Sequence, residues 1–358
     1  MTGAQVDFAV FGSSPLAGLV AGLLATRHKR AVVIVGEVEA RYRLPRTVDL
    51  SVAPITRPET WALLSANVQD VSRLIVKIGG RNGLRHIDPI FFADGPVARE
   101  ALGHFSHMAR AHGRVLEAVP PSTLGVSRVA LRISDAVVLN RSNFEPALEA
   151  WLSEAGVRRL APEAARMAAG GGAEIGIGTE TVVANHAILV DDTAIFQQLP
   201  GWQWPPQLQR RAHASILTAS RGHLASPIMV QLDSGTVLVQ HEEGGMAALG
   251  RGTLGAFSGE LAALLAETGQ LQQVGQVGFE ALATGDGAPL VGPAVADGAS
   301  LLTGLGATGV FLAPVLARWF AGEASAEEAE WCEARRADRD GIGSSVAEFI
   351  SGIEERAA

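Results

Sequence analysis

The chain has 358 residues, 47% of them hydrophobic and 18% charged, with a mean hydropathy of +0.21. That length buries large cores and points to two domains, and the composition argues against long disorder outside the tail. A formal net charge of −8 and a pI near 5.6 argue against nucleic acid or an anionic membrane surface as partner, and the single cysteine, Cys332, excludes an intramolecular disulfide and a cysteine-based metal cluster.

Residues 6–11 form an apolar run, followed by the small-residue turn Gly12-Ser13-Ser14-Pro15 and an Ala/Leu/Gly-rich stretch to Thr26 that reads as a buried helix. A second apolar run, 31–35, ends at Gly36-Glu37. Strand, turn, helix, strand and terminal acid make the unit that holds the ADP half of a dinucleotide. Small residues let the backbone approach a pyrophosphate, the helix N-terminus carries its charge, and the acid accepts hydrogen bonds from a ribose. The places of the first, third and sixth glycines hold Gly12, Ser14 and Ala17, and Glu37 follows Ala17 at the expected distance of about twenty residues. A βαβ unit without a nucleotide has the same pattern, so this turn alone leaves both readings open. The apolar stretch 8–25 lacks a basic leader, contains Ser13, Ser14 and Pro15, and runs into another strand, so neither a signal peptide nor a membrane span is expected. A soluble, cytoplasmic protein is expected.

A basic loop, 40–46, follows close to where a pyrophosphate and ribose would lie, and a helix begins near Pro58 with Glu59 in its first turn. Between 74 and 137 the pattern is strand-rich, with runs at 74–78, 90–92 and 129–133 around a helical segment at 98–112. His104 and His107 lie one helical turn apart, but no acid or cysteine at ligand spacing accompanies them, so no metal is expected. Residues 140–148 open an amphipathic helix that Gly156 ends. Residues 174–178 and 181–185 read as a hairpin, and 186–190 as a buried strand ending in Asp191-Asp192. That acid pair belongs either in the crevice of an open sheet or at a solvated strand end. Residues 228–232 and 237–240 form an antiparallel hairpin about Asp233-Ser234-Gly235, and a helix covers roughly 253–268. Two β-rich insertions, about 76–138 and 203–282, thus interrupt an α/β unit.

The most informative stretch runs from Thr284 to Gly292, with the form T-x-D-G-x-P-x-x-G. It precedes a strand at 301–303, a glycine turn from Gly304 to Gly309 and an apolar helix containing Ala313-Pro314. A second glycine turn at a helix N-terminus offers another patch of free N–H groups and positive dipole. The pairing of this stretch with the N-terminal dinucleotide unit resembles the FAD-dependent oxidoreductases related to D-amino-acid and glycine oxidases, over about residues 5 to 322.

The resemblance implies α/β plus antiparallel β, with a Rossmann-like FAD-binding domain (1–75, 139–202 and 283–322) interrupted by a β-rich substrate domain (76–138 and 203–282), then a helical tail (323–358). It implies non-covalent FAD, with Gly12, Ser13, Ser14, Pro15 and Ala17 at the pyrophosphate and Glu37 at the adenosine ribose. Arg46 and Ser51 would sit beside the flavin ring, Asp286 would support the ribityl side, and Gly304, Gly306, Ala307, Thr308 and Gly309 would line the pyrimidine end, where the helix dipole favours negative charge. Two departures matter. Amino-acid oxidases of this kind clamp the substrate carboxylate with an arginine at a place that falls here at or next to Ala281, and they use pocket tyrosines, whereas the only tyrosine here is Tyr42. A free α-amino acid is therefore disfavoured.

His241, Glu242, Glu243 and Glu280 remain as polar candidates on the substrate side. His241 is either a base or substrate ligand, or a hairpin-end residue facing solvent. The expected activity is oxidation of a C–N (amine-type) or C–O bond by hydride transfer to flavin. The alternatives are an FAD-dependent monooxygenase and an accessory flavoprotein subunit of a larger complex. The expected partner is a small-molecule substrate, with room for a homo-oligomer or a protein partner. The tail, with Trp331 and Phe349, packs on its own domain or on such a partner.

Overall fold

The computed structural model describes residues 4–38, 43–124, 128–161, 163, 165–219, 223–241, 244–265, 272–296, 298–339 and 347–349. Tyr42, Glu242 and Glu243 lie outside these. Among the described residues the fold is mixed α/β with several sheets.

The first strand, Ala4–Phe11, lies inside an eight-stranded sheet. It pairs in parallel with Val32–Val35 on one side and with Glu180–Leu189 on the other, and the order continues to Ser300–Thr303 and Leu290–Pro293 beyond the latter. The inner ends of these strands read as continuous apolar runs because helices cover them. Phe8 to Phe11 and Val32 to Val35 are all buried. Helix Pro15–Thr26 packs on this sheet with helix Gly309–Ala321, and both are apolar nearly all round, as a helix enclosed on several sides must be.

A second eight-stranded sheet has the order Gln273–Thr284, Leu208–Thr218, Met246–Arg251, Val237–Gln240, Ile228–Gln231, Ile90–Ala93, Val129–Ile133 and Leu116–Ala118. Its strands are antiparallel except where Ile228–Gln231 meets Ile90–Ala93. Leu84–Ile87 and Ala136–Leu139 form a separate two-stranded ribbon. Every strand of the second sheet comes from 90–133 or 208–284, and the first sheet draws on the rest of the chain.

Two local expectations change, and the tail takes one of its two expected places. The run 74–78 is not a strand but the end of helix Pro58–Gly79, where Val71, Leu74 and Ile75 continue the buried stripe of Trp61, Leu63 and Leu64. A short apolar run fits either period, and the stripe decides for the helix. The hairpin strand at 181–185 and the strand at 186–190 are one element, Glu180–Leu189. Its first half pairs with Ala173–Ile177 and its length runs beside the first strand. The tail helix Ala326–Glu333, with a capping box between Ser325 and Glu328, buries Trp331 against its own chain, and Phe349 is buried as well.

Candidate functional site

One cavity of about 1170 Å³ runs between the two large sheets. It begins at the first glycine turn, passes the ends of the central strands and reaches the second glycine turn and one face of the antiparallel sheet.

At its first end, Gly12 leaves the first strand with φ +154°, and Ser14 caps helix Pro15–Thr26 through a hydrogen bond from the Ala17 N–H. Gly36 sits against this turn so closely that a Cβ there would lie 2.7 Å from the Gly12 carbonyl oxygen. The exposed Glu37 follows on the cavity wall. The anion-binding face of the turn already holds a carboxylate. The Ser13 N–H, the Ser14 N–H (2.9 Å) and the Ser14 hydroxyl all donate to Asp191.

Asp192, the next residue, points the other way. Its Oδ2 accepts from the Leu282 N–H at 2.9 Å and its Oδ1 from the Thr303 hydroxyl at 3.1 Å, which joins the two sheets. Burial pushes its carboxyl up to about 6, against the pull of these two hydrogen bonds.

At the second end, strand Ser300–Thr303 turns through Gly304 (φ +77°) and Gly306 (φ +53°) into helix Gly309–Ala321. The Ala307 carbonyl accepts the Leu50 N–H at 2.8 Å, which ties this turn to the loop after the second strand. Gly304, Gly306, Ala307 and Gly309 line the cavity, and Phe349 packs beside Gly306. Asp286 also lines it, but both its oxygens take bonds of 2.9 Å from the Arg339 guanidinium.

The floor is one face of the antiparallel sheet. Register places Arg211 directly across from Ala281, and His213 across from Phe279 on one side and Arg251 on the other. Residues two apart share a face, so Arg211, His213, Arg251, Phe279 and Ala281 all front the cavity beside the apolar Phe91, Val230, Val237 and Leu249. His213 stacks on Phe279 (5.9 Å between centroids), and the Arg46 guanidinium lies 5.2 Å from the same ring. Burial lowers the His213 pKa against a bond to the Arg211 carbonyl, and the charges of Arg251 and Arg211 add to the effect, which favours the neutral imidazole.

Of the residues expected from sequence, Gly12, Ser13, Ser14, Glu37, Arg46, Glu280, Asp286, Gly304, Gly306, Ala307 and Gly309 meet at this one cavity. Pro15, Ala17, Ser51, Thr308 and His241 do not line it. Ala17 is buried, the Ser51 hydroxyl accepts the Val137 N–H at 2.8 Å, and the Thr308 hydroxyl donates to the Leu305 carbonyl at 3.1 Å. His241 is exposed at the hairpin end, and Glu280 pairs with Arg210 at 2.8 Å. Arg211, His213, Arg251, Asp191 and Asp192 complete the site. The alternation Arg211-x-His213 was a usable signal for the floor, since it puts two polar side chains on one face of a strand. Cys332 is buried, and burial pushes its thiol up to about 12, which keeps it out of any covalent chemistry. Among the described residues no group of three His, Cys, Asp or Glu side chains is placed to hold a metal, and no helix is long and apolar enough to cross a membrane.

No family model matches the sequence, and no curated protein matches it. Solved structures do. NikD, an unusual amino acid oxidase essential for nikkomycin biosynthesis, aligns with TM-score 0.73 at 13% identity over 97% of this chain and 99% of its own. L-proline dehydrogenase from P. horikoshii gives 0.71 at 12% over 92% and 97%, and glycine oxidase from Geobacillus kaustophilus 0.69 at 14% over 90% and 96%. Across nearly its whole length, then, this chain has the mixed α/β, multi-sheet fold of these oxidases and dehydrogenases.

Proposed function

We propose that the chain is an FAD-dependent oxidoreductase that oxidises the C–N bond of a carboxylate-bearing amine to an imine, the hydride leaving from the carbon that carries the nitrogen. One observation carries the reading: a single cavity joins both glycine turns to a polar β-sheet face. In this reading 1–75, 139–202 and 283–322 are the FAD-binding domain, 76–138 and 203–282 the substrate domain, and 323–358 the tail. The residues fit the cofactor at both ends. At one end Glu37, exposed on the cavity wall beside the first turn, offers a carboxylate to a ribose. At the other, Gly304, Gly306 and the N-terminus of helix Gly309–Ala321 offer N–H groups and positive dipole to a polar ring edge. At the turn between them, Asp191 already holds the donors.

Bound FAD would supply the hydride acceptor. The chain's own residues would do the rest. The amino-acid oxidases that the sequence resembles clamp the substrate carboxylate with an arginine at a place that falls at or next to Ala281. Here Arg211 stands across the strand from Ala281 and, with Arg251 and Arg46, gives a carboxylate a cationic seat, so the missing arginine at 281 no longer counts against a substrate carboxylate. His213, stacked on Phe279 and with its pKa lowered by burial, can take the proton that a substrate ammonium must lose before hydride departs. His213 replaces His241 as the candidate base.

Anaerobic titration with carboxylate-bearing amines, in excess FAD, tests the reading. Loss of the oxidised flavin spectrum with at least one such amine, and none with the matching amine that lacks the carboxylate, is the expected result. Reduction that ignores the carboxylate, or no reduction by any amine, overturns it.

A further inference from the structure

Two features that lie far apart in sequence meet in space. The first turn carries Ser14 where a glycine is usual, and the acid pair Asp191-Asp192 ends a strand 177 residues later. The parallel register, Phe11 beside Leu189, and the Val190 N–H bonded to the Phe11 carbonyl at 2.9 Å bring Asp191 level with Gly12. The missing side chain of Gly12 makes the seat: a Cβ there would stand 2.7 Å from Asp191 Oδ2. The Ser13 and Ser14 N–H groups both donate to one oxygen of the carboxylate and the Ser14 hydroxyl to the other. Asp191 is also the N-cap of helix Asp192–Gln198, yet its side chain makes no bond to that helix. An aspartate at an N-cap ordinarily satisfies its own helix. This one serves the N-terminus of another.

We propose that Asp191 is a resident anion in the phosphate turn, so that a diphosphate reaches the turn only by displacing its carboxylate. The proposal rests on the FAD reading for the ligand's identity, but the occupied turn is independent of it. A helix N-terminus with free N–H groups stabilises one anion, and two cannot use the same donors. A diphosphate entering beside an ionised Asp191 also meets a like charge at hydrogen-bonding range. The serine at the third place then has a purpose that glycine lacks: its hydroxyl supplies the third bond to the resident carboxylate. FAD affinity in this chain is therefore set by Asp191 as much as by the turn that would hold the cofactor.

The test uses the full chain with Asp191→Ala, which clears the turn, and Asp191→Asn, which keeps the volume and removes the charge. Quenching of flavin fluorescence gives FAD affinity, and isothermal titration measures inorganic pyrophosphate. FAD is expected to bind Asp191→Ala about tenfold tighter than the native protein or more, with Asp191→Asn between them. Pyrophosphate is expected to bind Asp191→Ala and not the native protein. Where the native protein binds FAD, equal or weaker FAD binding in both variants overturns the proposal, and an Asp191→Ala protein that takes up no pyrophosphate overturns it in either case. If Asp191→Ala fails to fold, the same two comparisons on Asp191→Asn decide. Pyrophosphate uptake without FAD binding by any form retains the resident anion and overturns the FAD reading instead.

Discussion

Replacing Asp192 by asparagine should stabilise the protein at neutral pH and leave it unchanged in acid. Asp192 is held at about 6, against an ordinary value of 3.8, because burial at the junction of the two sheets outweighs the bonds from Leu282 and Thr303. From about pH 4 to pH 6 the native state keeps a proton that the unfolded chain has released. Its stability therefore falls as pH rises through that window and stays low above it. Over that shift, at about 1.4 kcal/mol per unit, the ionised group costs about 3 kcal/mol at pH 7. An asparagine can accept from the Leu282 N–H and donate to the Thr303 oxygen, so it keeps both contacts without the charge. Urea denaturation of both proteins at a series of pH values isolates the effect, since all other titrations cancel in the difference. The difference should be near zero at pH 4 and approach about 3 kcal/mol in favour of the variant by pH 7. A difference that does not change with pH, or a variant less stable at pH 7, would refute the reasoning.

Two further outcomes follow from buried charge. Arg335 and Glu348 are 3% and 1% exposed and share a bond of 2.8 Å, with the guanidinium also over Trp331. Arg335→Met should cost about 3–5 kcal/mol by stranding Glu348. The same variant should speed proteolytic release of the C-terminal segment carrying Phe349, and a loss below about 1 kcal/mol in urea would contradict the pairing. His213, whose pKa is lowered by burial and by Arg251 and Arg211, should titrate below the ordinary histidine range when followed by NMR. In acid the unfolded chain takes this proton first, so His213 makes the native state lose stability as pH falls through that range. His213→Asn should remove that dependence and lower kcat/KM about a hundredfold or more, and a normal titration would exclude His213 as the neutral base.

What the chain reveals locally is legible without its fold. Period-two runs, small-residue turns and caps placed the first strand, turn and helix, the second glycine turn and the hairpin at 228–240, because each signal spans only a few neighbours. Where a run was short enough to suit two periods, as at 74–78, the stripe it continues on Pro58–Gly79 decided, and that stripe exists only once the helix is packed. The long-range meetings needed tertiary structure. Arg211 faces Ala281, and Asp191 enters the Gly12 turn, through the registers of strands distant in sequence. The sequence by itself determined the two glycine turns and the acid pair. Only the tertiary structure put a carboxylate of that pair into the first turn, because strand register sets which side chain reaches which donor.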